Sequence, residues 1–131
     1  MSTLFTKIVN KEIPCHLIKE DDRFLAFLDV MPLVEGHVLV IPKEEVDYIF
    51  DLEPELLGDL MKFAQTIAPA IKKAIPCKKV GVAVIGLEVP HAHVHLVPMN
   101  RMLDINFSQE KMKPSAESLA KTAELIRSFL L

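Results

Sequence analysis

The chain has 131 residues, half of them hydrophobic and a quarter charged, with a formal net charge of −3. That length fits one domain over residues 1–131 with a core of its own. Dispersed lysines under an acidic balance argue against a duplex nucleic-acid partner, which calls for a basic stripe, and no run approaches the about eighteen apolar residues of a membrane-spanning helix. Cys15 and Cys77 stand alone, without a CxxC pair or a signal-like N-terminus, and fit reduced thiols in a cytoplasmic protein.

In chain order, Leu4, Phe5, Ile8 and Val9 have helical spacing and predict a short helix. Residues 16–20 and 23–29 flank the polar pair Asp21-Asp22 and read as a hairpin without a turn glycine. Residues 31–36, with Pro32 and Gly36, read as a loop, and His37 to Ile41 as a third strand stopped by Pro42. A long helix is expected over 51–74. Its apolar stripe is Leu57, Leu60, Met61, Ala64, Ile67, Ala68 and Ile71, Pro54 lies in its first turn, and Pro69 predicts a kink. Residues 79–85 form a fourth, almost uninterrupted apolar strand, which suits burial on both faces or pairing with a second chain. The fifth strand carries the histidines, residues 99–113 look irregular, and Ser115 can cap a last helix with Leu119, Ala123, Ile126, Phe129 and Leu130 on its apolar side. This order predicts an α+β fold: a meander-like antiparallel sheet of about five strands, one long helix, a C-terminal helix, and one parallel-type crossover through the long helix.

Three of the five histidines fall in five residues, His91-Ala92-His93-Val94-His95. In a strand, side chains two apart share a face, so His91, His93 and His95 would line one side and Ala92, Val94 and Leu96 the other. Three readings compete. The row is an inert, hydrogen-bonded polar face; or it binds a metal through His-x-His with a third ligand from elsewhere; or one imidazole is a nucleophile whose neighbours fix its tautomer and meet developing charge. On local pattern alone His16 reads as a surface or edge residue and the cysteines as spectators. Phe5, Ile8 and Phe27 read as core, and Asp29 as a cap on the loop to Pro32.

The run His91-Ala92-His93-Val94-His95-Leu96-Val97 resembles the His-x-His-x-His-x-x signature of the histidine triad (HIT) proteins. Phe5-Thr6-Lys7-Ile8-Val9, Glu12-Ile13-Pro14, Glu20-Asp21-Asp22, Leu25 to Asp29 and Gly36 to Lys43 match the same family in order, so most of residues 4–98 is covered. Residues 99–131 are not clearly matched. The resemblance implies a nucleotidyl hydrolase or transferase that attacks the α-phosphate of a nucleoside phosphoramidate or dinucleoside polyphosphate. His93 would be the nucleophile, forming a transient nucleotidyl-histidine. His95 and His37 would hydrogen-bond the imidazoles and the phosphate, with imidazolium charge neutralising it, and His91 would orient the nucleophile. Asp29 matches the ribose-binding acid, and Phe5, Ile8, Ile13, Phe27 and Val30 the apolar pocket for a purine base. No metal or other cofactor is required, and a homodimer joined through the long helix and fourth strand is implied. In the loop 84–90, Leu87 stands where the family has a glutamine and Glu88 where it has a hydroxyl. Glu88 is then either a substitute proton donor to the substrate or a solvated loop glutamate, and a non-catalytic nucleotide-binding module is the alternative function.

Overall fold

The computed structural model describes residues 2–130. Three helices, α1 (Leu4–Val9), α2 (Pro54–Ala74) and α3 (Ala116–Ser128), surround five strands: β1 (Leu17–Glu20), β2 (Phe24–Leu28), β3 (Val38–Pro42), β4 (Lys79–Ala83) and β5 (Val94–Met99). The strands form one sheet in the order β1-β2-β3-β5-β4, every pair antiparallel. The expected α+β class and five-strand count are therefore observed. β1 to β3 is a meander, and α2 then carries the chain past the place that β5 later fills, so β3 and β4 point the same way with β5 between them.

The β1–β2 turn needs no glycine because Asp21 builds it. Its Oδ1 accepts from the amides of Arg23 and Phe24, both at 2.8 Å, and its own amide donates to the Phe24 carbonyl at 3.0 Å. A carboxylate bonding backbone two and three residues on is an Asx turn. Strands β2 and β3 are buried at every position, as central strands covered on both faces must be. Their alternation sorts the core into two. Phe24, Ala26, Leu28, Val38 and Val40 pack with Leu60, Phe63, Ile67 and Ile71 of α2 and with Leu119, Ala123 and Ile126 of α3. Leu25, Phe27, Leu39 and Ile41 face the other way and pack with Phe5 and Ile8 of the short α1, with the partly buried Val9, Ile13, Cys15, Leu17 and Val89 around them. One face is closed by two helices; the other is closed by a helix of six residues, which leaves room for a cleft.

Several boundaries differ from the sequence-based expectation. α2 begins at Pro54 rather than Asp51, because residues 49–51 form a separate 3₁₀ turn. Pro69 sits within α2, which is helical on both sides of it. Pro69 and Gln65, whose carbonyl loses its helical donor, are both exposed, so water can satisfy that oxygen. Met61, expected in the buried stripe, is exposed, and Phe63 takes the core position against Phe24 instead. β4 ends at Ala83 and is a half-exposed edge strand, not one buried on both faces. Phe129 lies just beyond α3 and is largely exposed. Among the described residues, no helix is long and apolar enough to cross a membrane.

Gly36 sets the approach to β3. Its φ is +89°, and a Cβ there would lie 2.7 Å from Ile75 Cγ1 and 3.2 Å from Pro98 Cγ. Gly36→Ala combines a left-handed backbone with a steric clash, so it should destabilise the protein by about 1–3 kcal/mol in urea unfolding. A variant as stable as the parent would contradict this account of the turn.

Candidate active site

The cleft on the α1 face has a volume of about 390 Å³ and is lined by Phe5, Ile8, Phe27, Leu39, His93 and His95, with Asp29 and Val30 at one side and the loop 85–89 at another. Its apolar wall follows from the alternation of β2 and β3, since Phe27 and Leu39 are the residues turned away from α2. Of the apolar residues expected to hold a base, Phe5, Ile8, Phe27 and Val30 line the cleft. Ile13 does not: it packs behind the Phe5–Phe27 cluster, and Pro14 and Cys15 reach the cavity in its place. Burial raises the pKa of the Cys15 thiol, which keeps it protonated.

The histidine row is not wholly a strand. β5 starts at Val94, so His91 and His93 lie in the segment leading into it. The reason is in the backbone partners: the His91 amide bonds the Val89 carbonyl at 2.8 Å, and the Ala92 amide bonds the Val46 carbonyl at 2.7 Å, so neither joins the β3 ladder. The alternation nevertheless persists. Ala92, Val94 and Leu96 enter the core beneath α2. The His93 and His95 rings stand 4.8 Å apart, with Phe5 edge-on at 5.0 Å from His93 and 5.8 Å from His91.

Hydrogen-bond partners fix each imidazole, because a neutral ring has one donor and one acceptor nitrogen. His93 Nδ1 lies 2.7 Å from the His91 carbonyl, which can only accept, so Nδ1 carries the proton and the Nε2 lone pair is free. The Leu33 amide donates to His37 Nδ1 at 3.1 Å; His37 Nε2–H then donates to His95 Nδ1 at 2.9 Å. His95 is left with its Nε2–H as a free donor. His91 is spent on structure: its Nε2–H donates to the Pro42 carbonyl at 2.8 Å, and its Nδ1 accepts from the Thr3 hydroxyl at 3.0 Å. His91 thus anchors the segment whose carbonyl meets His93 Nδ1. His37 is 1% exposed and sits behind His95 rather than in the cleft, so it can touch a bound phosphate only through His95.

Burial changes the expected charge. His37 is pushed down to about 4 and His95 to about 3, burial being the largest cause in both, with neighbouring His93 and Lys111 adding to it. His91 is also lowered by burial. These rings are neutral near pH 7, so the imidazolium charge expected to help neutralise a phosphate does not come from His37 or His95, which stand there as neutral rings. Asp29 caps its loop as expected, with Oδ1 accepting from the Met31 amide at 2.9 Å. Burial raises its pKa, and Oδ2 lies 3.8 Å from His37 Nε2.

Asp29, His37 and His95 also offer three atoms within 4.8 Å of one another, the one such group among the described residues. Two nitrogens on a tetrahedral zinc stand about 3.3 Å apart, whereas His37 Nε2 and His95 Nδ1 share a proton at 2.9 Å. A metal would have to part the pair and displace that proton. Glu88 is 85% exposed, paired with Lys111 Nζ at 3.7 Å, and is a solvated rim residue rather than an acid aimed into the cleft. Sequence reasoning missed Phe107 and Lys111, which come from the segment without periodicity. Phe107 stands edge-on to His95 at 4.7 Å, and both residues line the cleft.

Linkage gives a test. The folded pKa values of His37 and His95 lie below the unfolded value of 6.5, so the unfolded chain binds more protons and stability falls as pH drops from about 6.5 towards 4. Each histidine should contribute a slope of about 1.4 kcal/mol per pH unit, offset in the carboxylate range by Asp29, whose shift has the opposite sign. Urea unfolding at pH 7.5, 6 and 5 checks this, and a flat profile would contradict neutral buried histidines.

Residues 10–102 match the HIT domain family. An uncharacterised HIT-like protein of Borreliella burgdorferi is 36% identical over 102 residues, covering 72% of this chain and 73% of that protein. The adenosine 5'-monophosphoramidase of Saccharomyces cerevisiae is 36% identical over 96 residues, covering 72% of this chain and 61% of the yeast protein. Among solved structures, a HIT-like protein from Bartonella henselae superposes with a TM-score of 0.84 at 32% identity, covering 97% of this chain and 95% of that one. With a matching family domain, matching relatives and a matching fold, this chain belongs to the histidine triad (HIT) family.

Proposed function

We propose that the protein is a nucleotidyl hydrolase acting on nucleoside phosphoramidates, with dinucleoside polyphosphates as the second substrate class. The observation that carries this reading is the pair of opposed ring atoms in one cleft: a free Nε2 lone pair on His93 and a free Nε2–H on His95, each fixed by a buried partner. A base fits among Phe5, Ile8 and Phe27, and Asp29 stands where ribose hydroxyls would need an acceptor. His93 Nε2 attacks the α-phosphorus, and a P–N bond to the ring forms as the bond to the leaving amine breaks; that amine departs protonated from solvent. Water then attacks phosphorus, the P–Nε2 bond breaks, and nucleoside monophosphate leaves with one proton lost to solvent. His95 Nε2–H donates to a non-bridging oxygen throughout, a preorganised electrostatic role. The similarity to the yeast adenosine 5'-monophosphoramidase supports an adenosine substrate.

His93→Ala should lower kcat/KM for adenosine 5'-phosphoramidate by about a thousandfold or more while AMP still binds. The wild type, quenched without acid, should yield an adduct of one adenylyl group by mass spectrometry. Unchanged turnover in His93→Ala would overturn the nucleophile, and AMP binding without any turnover in the wild type would identify a nucleotide-binding module instead.

We also infer a homodimer. β4 is an open edge strand, and Val82 on it, Val84 and Ile85 after it and Met61 on α2 are exposed apolar residues. A two-fold contact there would extend the sheet and cover them. Sedimentation equilibrium at micromolar concentration should give twice the chain mass, and Val82→Lys should shift it to one chain mass. A strictly monomeric wild type refutes the assembly.

A further inference from the structure

With His37 and His95 neutral, the cleft needs another source of positive charge to hold a phosphate. Among the residues that line it, Lys111 is the one lysine or arginine, facing two carboxylates, Asp29 and Glu88. Its charge reaches Asp29, His37 and His95 alike, adding to the downward shift of both histidines and partly opposing the burial that raises Asp29. Lys111 comes from beyond residue 102, where the family match ends. The segment bearing it is nonetheless anchored: the Met112 amide donates to the Pro32 carbonyl at 2.9 Å, and Phe107 packs edge-on against His95. The Lys111 side chain is 29% exposed and that of its partner Glu88 85%. A partner so exposed can swing into water at little cost, while the lysine stem stays packed against the cleft.

We infer that Lys111 reads phosphate charge in this cleft: Glu88 holds it until a phosphate of the nucleotide takes Glu88's place, so the 106–113 segment selects ligands by phosphate number. This rests on the nucleotide reading above. A phosphate has a stronger claim than Glu88, since it carries more charge, sits in a less hydrated site and can also accept from His95 Nε2–H.

Calorimetry with adenosine, AMP and the non-hydrolysable α,β-methylene ADP tests it on wild type, Lys111→Gln, Lys111→Arg and Glu88→Gln. Wild-type affinity should rise with phosphate number. Lys111→Gln should weaken both phosphorylated ligands about tenfold and leave adenosine within about twofold, with the loss shrinking in high salt. Lys111→Arg should restore most of it, and Glu88→Gln should tighten both nucleotides. Equal weakening of all three ligands by Lys111→Gln would reduce the residue to packing. No weakening at all, or weaker nucleotide binding in Glu88→Gln, would also overturn the inference while AMP binding to wild type keeps the nucleotide reading. Wild type that binds none of the three ligands overturns both.

Discussion

Everything in this molecule follows from how unequally the two faces of one sheet are covered. The residues of β2 and β3 alternate, and the set turned towards α2 and α3 makes a core with Phe63, Ile67, Ile71 and Ile126. The opposite set has only a small cluster over it, Phe5 and Ile8 of α1 with a few partly buried neighbours such as Ile13 and Val89. A sheet face left part-covered is an apolar floor, and β5 brings polar rings to its border. The cleft is thus a by-product of layer geometry. Its chemistry is supplied by the residues that the same alternation directs into it: Phe27 and Leu39 from below, His93 and His95 from the side.

The charge state of the site is a second consequence of that packing. Imidazoles held at 1% exposure for His37 and 7% for His95 give up their protons because water is excluded. What remains is direction rather than charge. A backbone amide at Leu33 orients His37, which orients His95, which points a single N–H into the cleft. A backbone carbonyl at His91 does the converse for His93, leaving a lone pair. Main-chain groups, whose positions are set by the fold, therefore decide which ring gives and which receives.

Much of this was legible in the sequence. Period-two histidines, the alternating strands around them and the helical stripe over 57–71 each reflect local periodicity, and each was found. So was the gathering of Phe5, Ile8, Phe27, Asp29, His93 and His95 at one cleft, because short motifs carry these residues. What escaped was non-local. Phe63 replaced Met61 in the core because α2 is rotated to meet Phe24, a partner 39 residues earlier by their numbers. Ile13 fell behind the cleft because the turn after α1 sets its direction. The late start of β5 depends on Val46 capturing an amide, and Phe107 and Lys111 sit in a stretch held by a backbone bond to Pro32 and by Phe107 against His95. The neutrality of the histidines likewise needed burial, which spacing does not reveal.

The bond from the Thr3 hydroxyl to His91 Nδ1 ties the cap of α1 to the histidine cluster. Thr3 also caps α1, and its amide and the Thr6 hydroxyl both reach Glu45 Oε1, at 2.8 and 2.6 Å. Here, a substitution at Thr3 or Thr6 would loosen the ring of His91, then the loop carbonyl that steers His93, with no residue of the cleft itself touched.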